Sequence, residues 1–577
     1  MLNHAPLVSH TGSPTNIPTQ PTNNDTPPPS RLSAVNVATP STHWVSNEAP
    51  SMQDPPEHIF VPSINASRPT SPLSTHSTQS AEERDSLNAY YSRMVCNMGF
   101  LINYYNIAVI SSAKPLMRDH HQPSSPLQEG LVTSASLAGA IVGQLALGMS
   151  GDSIGRKYAS VISGAALAIG ALGTACAQQS SDDSTHFYNT LIAARFVLGV
   201  GAGGDLPLLS ALTRENSSAE ECSNALMKNN VWLGLGLVLS QGIYAGLIPI
   251  DSNEATWRTA TGTGAFLCAA LLLAKIIVLK NDAGLDHGDT NESTANSTAL
   301  TLPHANHATP LLEQAPTVST TERLGELSAL WKPLVGASLS WLLYDAVDFA
   351  LSLSSADILG SPDHPEQGAI LTTFGASITM VGSLLAMALV NRSNIDQRQL
   401  QTIGFIGMSV THGLLTATAS LNLWQDETGI NGAKHIQLNG LLGQMGFYGL
   451  YALQQLFDAA GPCVSVYVIP SEIFPTDMRA SALGIASSIG KTGGFLGAAS
   501  LPTIREATGM PTVFAITALG AALGAMVAQR MIPKYDTNTL DRLDTVFHND
   551  GAQGVMNLFS ENANIHRPDT TDSRATA

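Results

Sequence analysis

Apolar residues along the chain gather into two sets of long runs. Six lie near 92–113, 131–150, 158–177, 191–212, 230–250 and 260–279. After a polar stretch, six more follow near 333–353, 368–390, 399–421, 440–469, 481–503 and 511–532. Each has about 20 residues or more, enough for a helix rising ~1.5 Å per residue to cross ~30 Å of hydrocarbon. The pattern predicts an all-α membrane protein with about 12 transmembrane helices. Two sets of six with a long middle connection suit a two-half transporter made of two pseudo-symmetric six-helix bundles. The expected organisation is a tail at 1–88, a first bundle at 89–280, a middle loop at 281–328, a second bundle at 329–533 and a tail at 534–577. Residues 1–88 contain Pro27, Pro28 and Pro29 and many Ser and Thr. They hold too little apolar surface to fold and are expected to be disordered.

Composition looks contradictory until the chain is divided in this way. Of 577 residues, 12% are charged, about half the usual share of a soluble domain. Yet the mean hydropathy is only +0.11, because the polar tails and middle loop dilute the apolar runs. The formal charge of −17 and the lack of a basic patch argue against nucleic-acid binding. No phosphate-binding glycine loop is present, so nothing supports an enzyme or ATP-driven transport. Cys96, Cys176, Cys222, Cys268 and Cys463 show no CxxC spacing. A metal site or a disulfide framework is therefore not expected. The first 88 residues hold no apolar signal core, so the run near 92–113 should serve as an uncleaved anchor. Lys and Arg concentrate in alternate connections, which places both termini and the middle loop in the cytoplasm.

Charges inside or between the runs carry the candidate chemistry. Between runs two and three stands Gly148-Met149-Ser150-Gly151-Asp152-Ser153-Ile154-Gly155-Arg156-Lys157. Run four holds Arg195 and Gly203-Gly204-Asp205-Leu206-Pro207. A charge at mid-membrane costs ~2.5–3.5 kcal/mol even on permissive scales, so Asp205 needs a purpose. Arg195 and Asp205 are nearly three turns apart and cannot pair within one helix. Run seven holds Trp341, Asp345 and Asp348, the first two on one helix face. Run ten holds Asp458, Gly461-Pro462-Cys463 and then Pro470-Ser471-Glu472-Ile473-Phe474-Pro475, with Arg479 beyond. Lys491 lies some ten residues into run eleven, too deep to reach the interface easily.

The loop after run two resembles the signature Gly-x-x-x-Asp-Arg-x-Gly-Arg-Lys of the major facilitator superfamily, with Ser153 in place of the first Arg. Within it, the motifs of runs four, seven, ten and eleven resemble those of the phosphate:proton symporters. That resemblance implies substrate binding by Trp341, Asp345 and Lys491 and proton coupling by Asp205. It gives Gly148, Asp152, Gly155, Arg156, Lys157, Arg195, Glu472 and Arg479 the role of structural motif. Asn103, Asn106, Asp348, Asp458 and Cys463 are further candidates for lining the cavity. The chain departs from the family at several places: Leu206 and Phe349 stand for Tyr, and Cys463 for Asn. Asn103 and Asn106 replace two acids of the first helix, and Trp232-Leu233 falls where a substrate glutamine is expected.

The leading expectation is a secondary active transporter performing proton-coupled uptake of inorganic phosphate or a related small anion by alternating access. The departures keep a second reading open, a transporter of an organic phosphate, organic acid or sugar-like solute. A third is a non-transporting nutrient sensor that uses its long tail and middle loop to dock signalling partners. The expected partners are a small anion, protons and the lipid bilayer. The chain is expected to need no cofactor or metal, and to act as a monomer in the plasma membrane.

Overall fold

A computed structural model describes residues 73–121, 125–178, 184–215, 217, 221–248, 253–288, 320–360, 365–393, 395–428 and 434–565. The first half is α1 (Leu73–His120), α2 (Pro126–Ile154), α3 (Arg156–Ala175), α4 (Ser184–Glu215), α5 (Cys222–Leu247) and α6 (Asn253–Gly288). A short α7 (Thr320–Ala329) leads into the second half. That half holds α8 (Trp331–Ser352), α9 (Ser355–Leu359), α10 (Pro365–Ser393) and α11 (Gln397–Ser420). It continues with α12 (Gly440–Ala460), α13 (Pro462–Ile473), α14 (Thr476–Thr508) and α15 (Met510–Met531), and α16 (Thr537–Ile565) ends the chain. Among the described residues, nine of these helices are long and apolar enough to cross a membrane. The more polar α11, the broken α12–α13 and α14 complete twelve spans. Side chains such as Ile169, Phe266 and Leu441 stay on the outside of the bundle, where lipid takes the place that water cannot fill favourably.

The halves meet along two helix pairs, α2 with α14 and α5 with α10. Within the second half, α8 and α14 approach closely because α14 presents Gly490, Gly493 and Gly497 on one face. A methyl group on Gly493 would sit 2.1 Å from the Leu342 carbonyl oxygen, and one on Gly497 2.3 Å from that of Ala346. Small residues give this approach in lipid, where apolar association alone drives little. At the α2–α3 junction Gly155 turns the chain with φ of +89°, a backbone conformation that disfavours other residues.

Four features differ from the sequence pattern. Run ten is two helices, because the backbone turns at Gly461 (φ −125°, ψ −103°) and Pro462 offers no amide to continue the ladder. The connection between α11 and α12 folds as an antiparallel hairpin of β1 (Trp424–Thr428) and β2 (Lys434–Leu438). The α1 helix begins at Leu73, ahead of the expected boundary at 89; residues 1–72 lie outside the described residues. The stretch 534–577, read as a polar tail, carries α16, whose Phe547, Val555 and Leu558 pack against Phe474 and Met478. Beside it Tyr535 donates to Glu472 Oε2 at 2.8 Å. Burial, together with the Glu472 carboxylate, pushes the Tyr535 hydroxyl well above the usual phenol range.

Candidate functional site

A cavity of about 100 Å³ lies between the halves. Its first-half wall includes Tyr104 of α1, Leu206 of α4 and Asn230, Leu233 and Gln241 of α5. Its second-half wall includes Trp341, Asp345 and Asp348 of α8, Asp458 of α12, Cys463 of α13 and Lys491 of α14. A single water needs ~10–15 Å³ on this measure, so the space suits a solute of a few heavy atoms.

The Lys491 ammonium donates to Asp345 Oδ2 at 2.8 Å. Both side chains are almost wholly buried. The same ammonium lies 4.5 Å from the Phe349 ring centroid and 6.0 Å from that of Trp341. A ring face attracts a desolvated cation by ~2 kcal/mol. Phe349, which lacks the hydroxyl expected at its position, thus still holds the lysine through its π-face. Gly490 leaves room for the Trp341 indole, since a methyl there would meet Cδ1 at 2.5 Å. The close α8–α14 packing is therefore what brings Trp341, Asp345 and Lys491 together.

Asp205 sits elsewhere. It is fully buried in the first half, and Lys275 of α6 donates to both its oxygens at 2.6 Å. Ser163 of α3 also donates to Oδ1, and Asn103 Nδ2 lies 3.5 Å from Oδ2. Four helices thus converge on one carboxylate. It is the neighbouring Leu206, rather than Asp205, that lines the central cavity. Asn103 faces a small side pocket of about 20 Å³ that also touches Lys491. Asn106 is a correction: it does not line the cavity. Its amide points to α6, donating to the Cys268 sulfur at 3.1 Å, because it lies on the α1 face that packs on α6.

The motif residues take scaffold positions. Arg195 is fully buried and donates to the carbonyls of Asn106 at 2.8 Å and Ile107 at 3.1 Å, and to Ser136 at 3.2 Å. It clamps α4 to α1 and α2. Gly148 packs on Pro207 of α4. Arg156 and Lys157 open α3, while the Asp152 side chain lies outside the described residues. Arg479 donates to the Phe474 carbonyl at 3.0 Å and so ties the α13–α14 link.

Three cavity or charge residues escaped the sequence reading. Lys275 is a cation inside an apolar run, the same signal that marked Lys491. Gln241 lines the cavity eight positions beyond Leu233, and it donates to Ala108 O at 3.2 Å. Asn230 lines it with an amide nitrogen that has no partner; nothing in the pattern separated it from neighbouring polar residues.

Contacts join the halves at both ends of the cavity. At the end carrying the α1–α2 connection, Asp357 of α9 pairs with Lys114 at 2.7 Å and with Arg118 at 3.0 Å. Burial alone would raise the Asp357 carboxyl, but Arg118 and Lys114 outweigh it and hold it well below the usual carboxylate range. At the opposite end Tyr467 of α13 donates to Ser210 of α4, and Asn229 of α5 lies 3.5 Å from the Tyr467 hydroxyl.

The profile of the family described as "Sugar (and other) transporter" matches residues 93–547. An inorganic phosphate transporter of Saccharomyces cerevisiae is 25% identical over 536 residues, covering 82% of this chain and 86% of its own. Glycerophosphoinositol permease 1 of Candida albicans is 25% identical, covering 72% of this chain and 73% of its own. Among solved structures, a partially occluded, inward-open form of the xylose transporter from E. coli superposes with a TM-score of 0.57. It is 15% identical and covers 77% of this chain and 98% of its own.

Proposed function

The chain belongs to the sugar (and other) transporter family, and we propose that this multi-pass membrane protein couples entry of protons to uptake of inorganic phosphate or a related small anion. One observation carries the reading: a buried lysine, held by Asp345 and two aromatic faces, opens onto a small cavity between the halves. An entering oxyanion competes with Asp345 for the Lys491 ammonium and finds further donors in Trp341 and Asn230. The phosphate-transporter relatives support the same cargo. The halves then rock about the bound anion, opening one end as the other closes. The distribution of Lys and Arg favours cytoplasmic termini, and the reading places the protein in the plasma membrane as a monomer.

The test is uptake of labelled phosphate by proteoliposomes, with and without an inwardly directed proton gradient. Gradient-driven accumulation supports the proposal; no phosphate uptake under either condition overturns it. A second reading, an organic phosphate or organic acid as cargo, is favoured by the apolar Leu206 and Leu233 in the cavity wall. Competition by organic phosphates, with inorganic phosphate ineffective, would select it.

A further inference from the structure

The central cavity holds more acid than an anion site calls for. Lys491 is spoken for by Asp345, yet Asp348 and Asp458 also line the space. Asp458 is 2% exposed and its Oδ1 has no hydrogen-bond partner. The two carboxyls lie within electrostatic reach of each other. Around them, α1 contributes Tyr104, α8 contributes Tyr344 and Asp345, and α14 contributes Lys491. From α12 and α13 come Tyr451, Cys463 and Tyr467, so Lys491 is the sole cation among the described lining residues. Asp205, by contrast, has its cation already, in Lys275.

Resting on the anion reading above, we propose that Asp348 and Asp458 form the proton-binding site of this transporter. A carboxylate removed from water and given no cation of its own, as Asp458 is, takes up a proton instead, and half-buried Asp348 lining the same space adds a second negative charge that favours it. The step balances simply: one solvent proton adds to a carboxylate oxygen of the pair, cancelling one negative charge, and leaves to solvent on the other side. With both groups ionised, the cavity repels an oxyanion; with the pair protonated, Lys491 dominates its field. Proton and anion therefore each raise the affinity for the other, and that reciprocity is the coupling. Anion affinity should fall about tenfold per pH unit for each proton taken up with it.

The experiment uses the purified full-length protein and the Asp348→Asn/Asp458→Asn variant. Infrared difference spectra between acid and alkaline buffer, without phosphate, should show a protonated-carboxyl band that the variant loses. Phosphate binding followed across pH, corrected for the ligand's own second ionisation, should lose its slope in the variant, and Asp458→Glu, which keeps a titrating carboxyl, should retain it. A band and slope unchanged in the double variant would overturn the proposal and return the proton to Asp205 or Asp345. A wild-type protein that shows the band but binds no phosphate at any pH would overturn the anion reading and leave the proton site standing. If the double variant fails to fold, Asp348→Asn and Asp458→Asn singly give the same readouts.

Discussion

At the scale of single residues, charges inside apolar helices explain most of the site. Lys491→Met removes the one cation among the described residues of the cavity wall. A charged hydrogen bond is worth ~1.5–3 kcal/mol, so anion affinity should fall roughly 10- to 100-fold. Binding of phosphate by calorimetry measures it, and unchanged affinity would remove Lys491 from the site. The second pair is placed differently, because Asp205 and Lys275 bond each other outside the described lining of the cavity. Lys275→Met strands Asp205 as a buried charge, at a cost of ~3–5 kcal/mol. Adding Asp205→Asn should recover most of that loss in thermal unfolding of the detergent-solubilised protein. If the single and double variants melt alike, the pair contributes nothing to packing. Asp345 and Lys491 were legible in the sequence because a mid-span charge needs a partner. The identity of Asp205's partner was not, since it depends on which faces of α3, α4 and α6 converge. Asn103 and Asn106 illustrate the same limit: three residues apart on α1, they face different neighbours.

Among elements, spans were legible and their interruptions were not. Length and apolarity located the twelve spans, but the Gly461 turn, the hairpin and α16 depend on tertiary contacts. The spacing of Leu540, Leu543 and Phe547 did carry an amphipathic signal that a polar average over 534–577 conceals. The short α9 matters beyond its size, because Asp357 fastens the second half to Lys114 and Arg118 of α1. Its carboxyl is held well below the ordinary range, so it stays ionised until strong acid. The fastening is present above the free carboxylate pKa and is lost only as pH falls through the depressed value. Closure at this end should therefore be insensitive to pH between about 5 and 8, where free carboxylates are already ionised. Thiol labelling of Cys463 from this side, in a protein lacking its other cysteines and with each rate divided by that of the same protein unfolded at the same pH to remove the thiolate fraction, should be slow and flat over that interval. Asp357→Asn should raise it throughout. Wild-type labelling that climbs steeply on mild acidification would show that another group governs this end.

For the whole molecule, alternating access requires that two closures oppose each other. Ion pairs join the halves at the end near α9, and hydroxyl and amide contacts around Tyr467 help to join them at the other. The two differ in kind. Losing one neutral hydrogen bond costs ~0.5–1.5 kcal/mol. Opening at the Tyr467 end must break the Tyr467–Ser210 hydrogen bond, so weakening that bond favours opening there. Tyr467→Phe deletes the hydroxyl that reaches Ser210 and should shift the equilibrium toward opening there by roughly 2- to 10-fold. In oriented vesicles, Cys463 should then label faster from the Tyr467 side and no faster from the Asp357 side. Phosphate counterflow, which needs both openings, should slow as the protein dwells open at one end. Equal acceleration of labelling from both sides would mean that Tyr467 merely tightens the cavity wall, and that the two ends are not alternatives of one equilibrium.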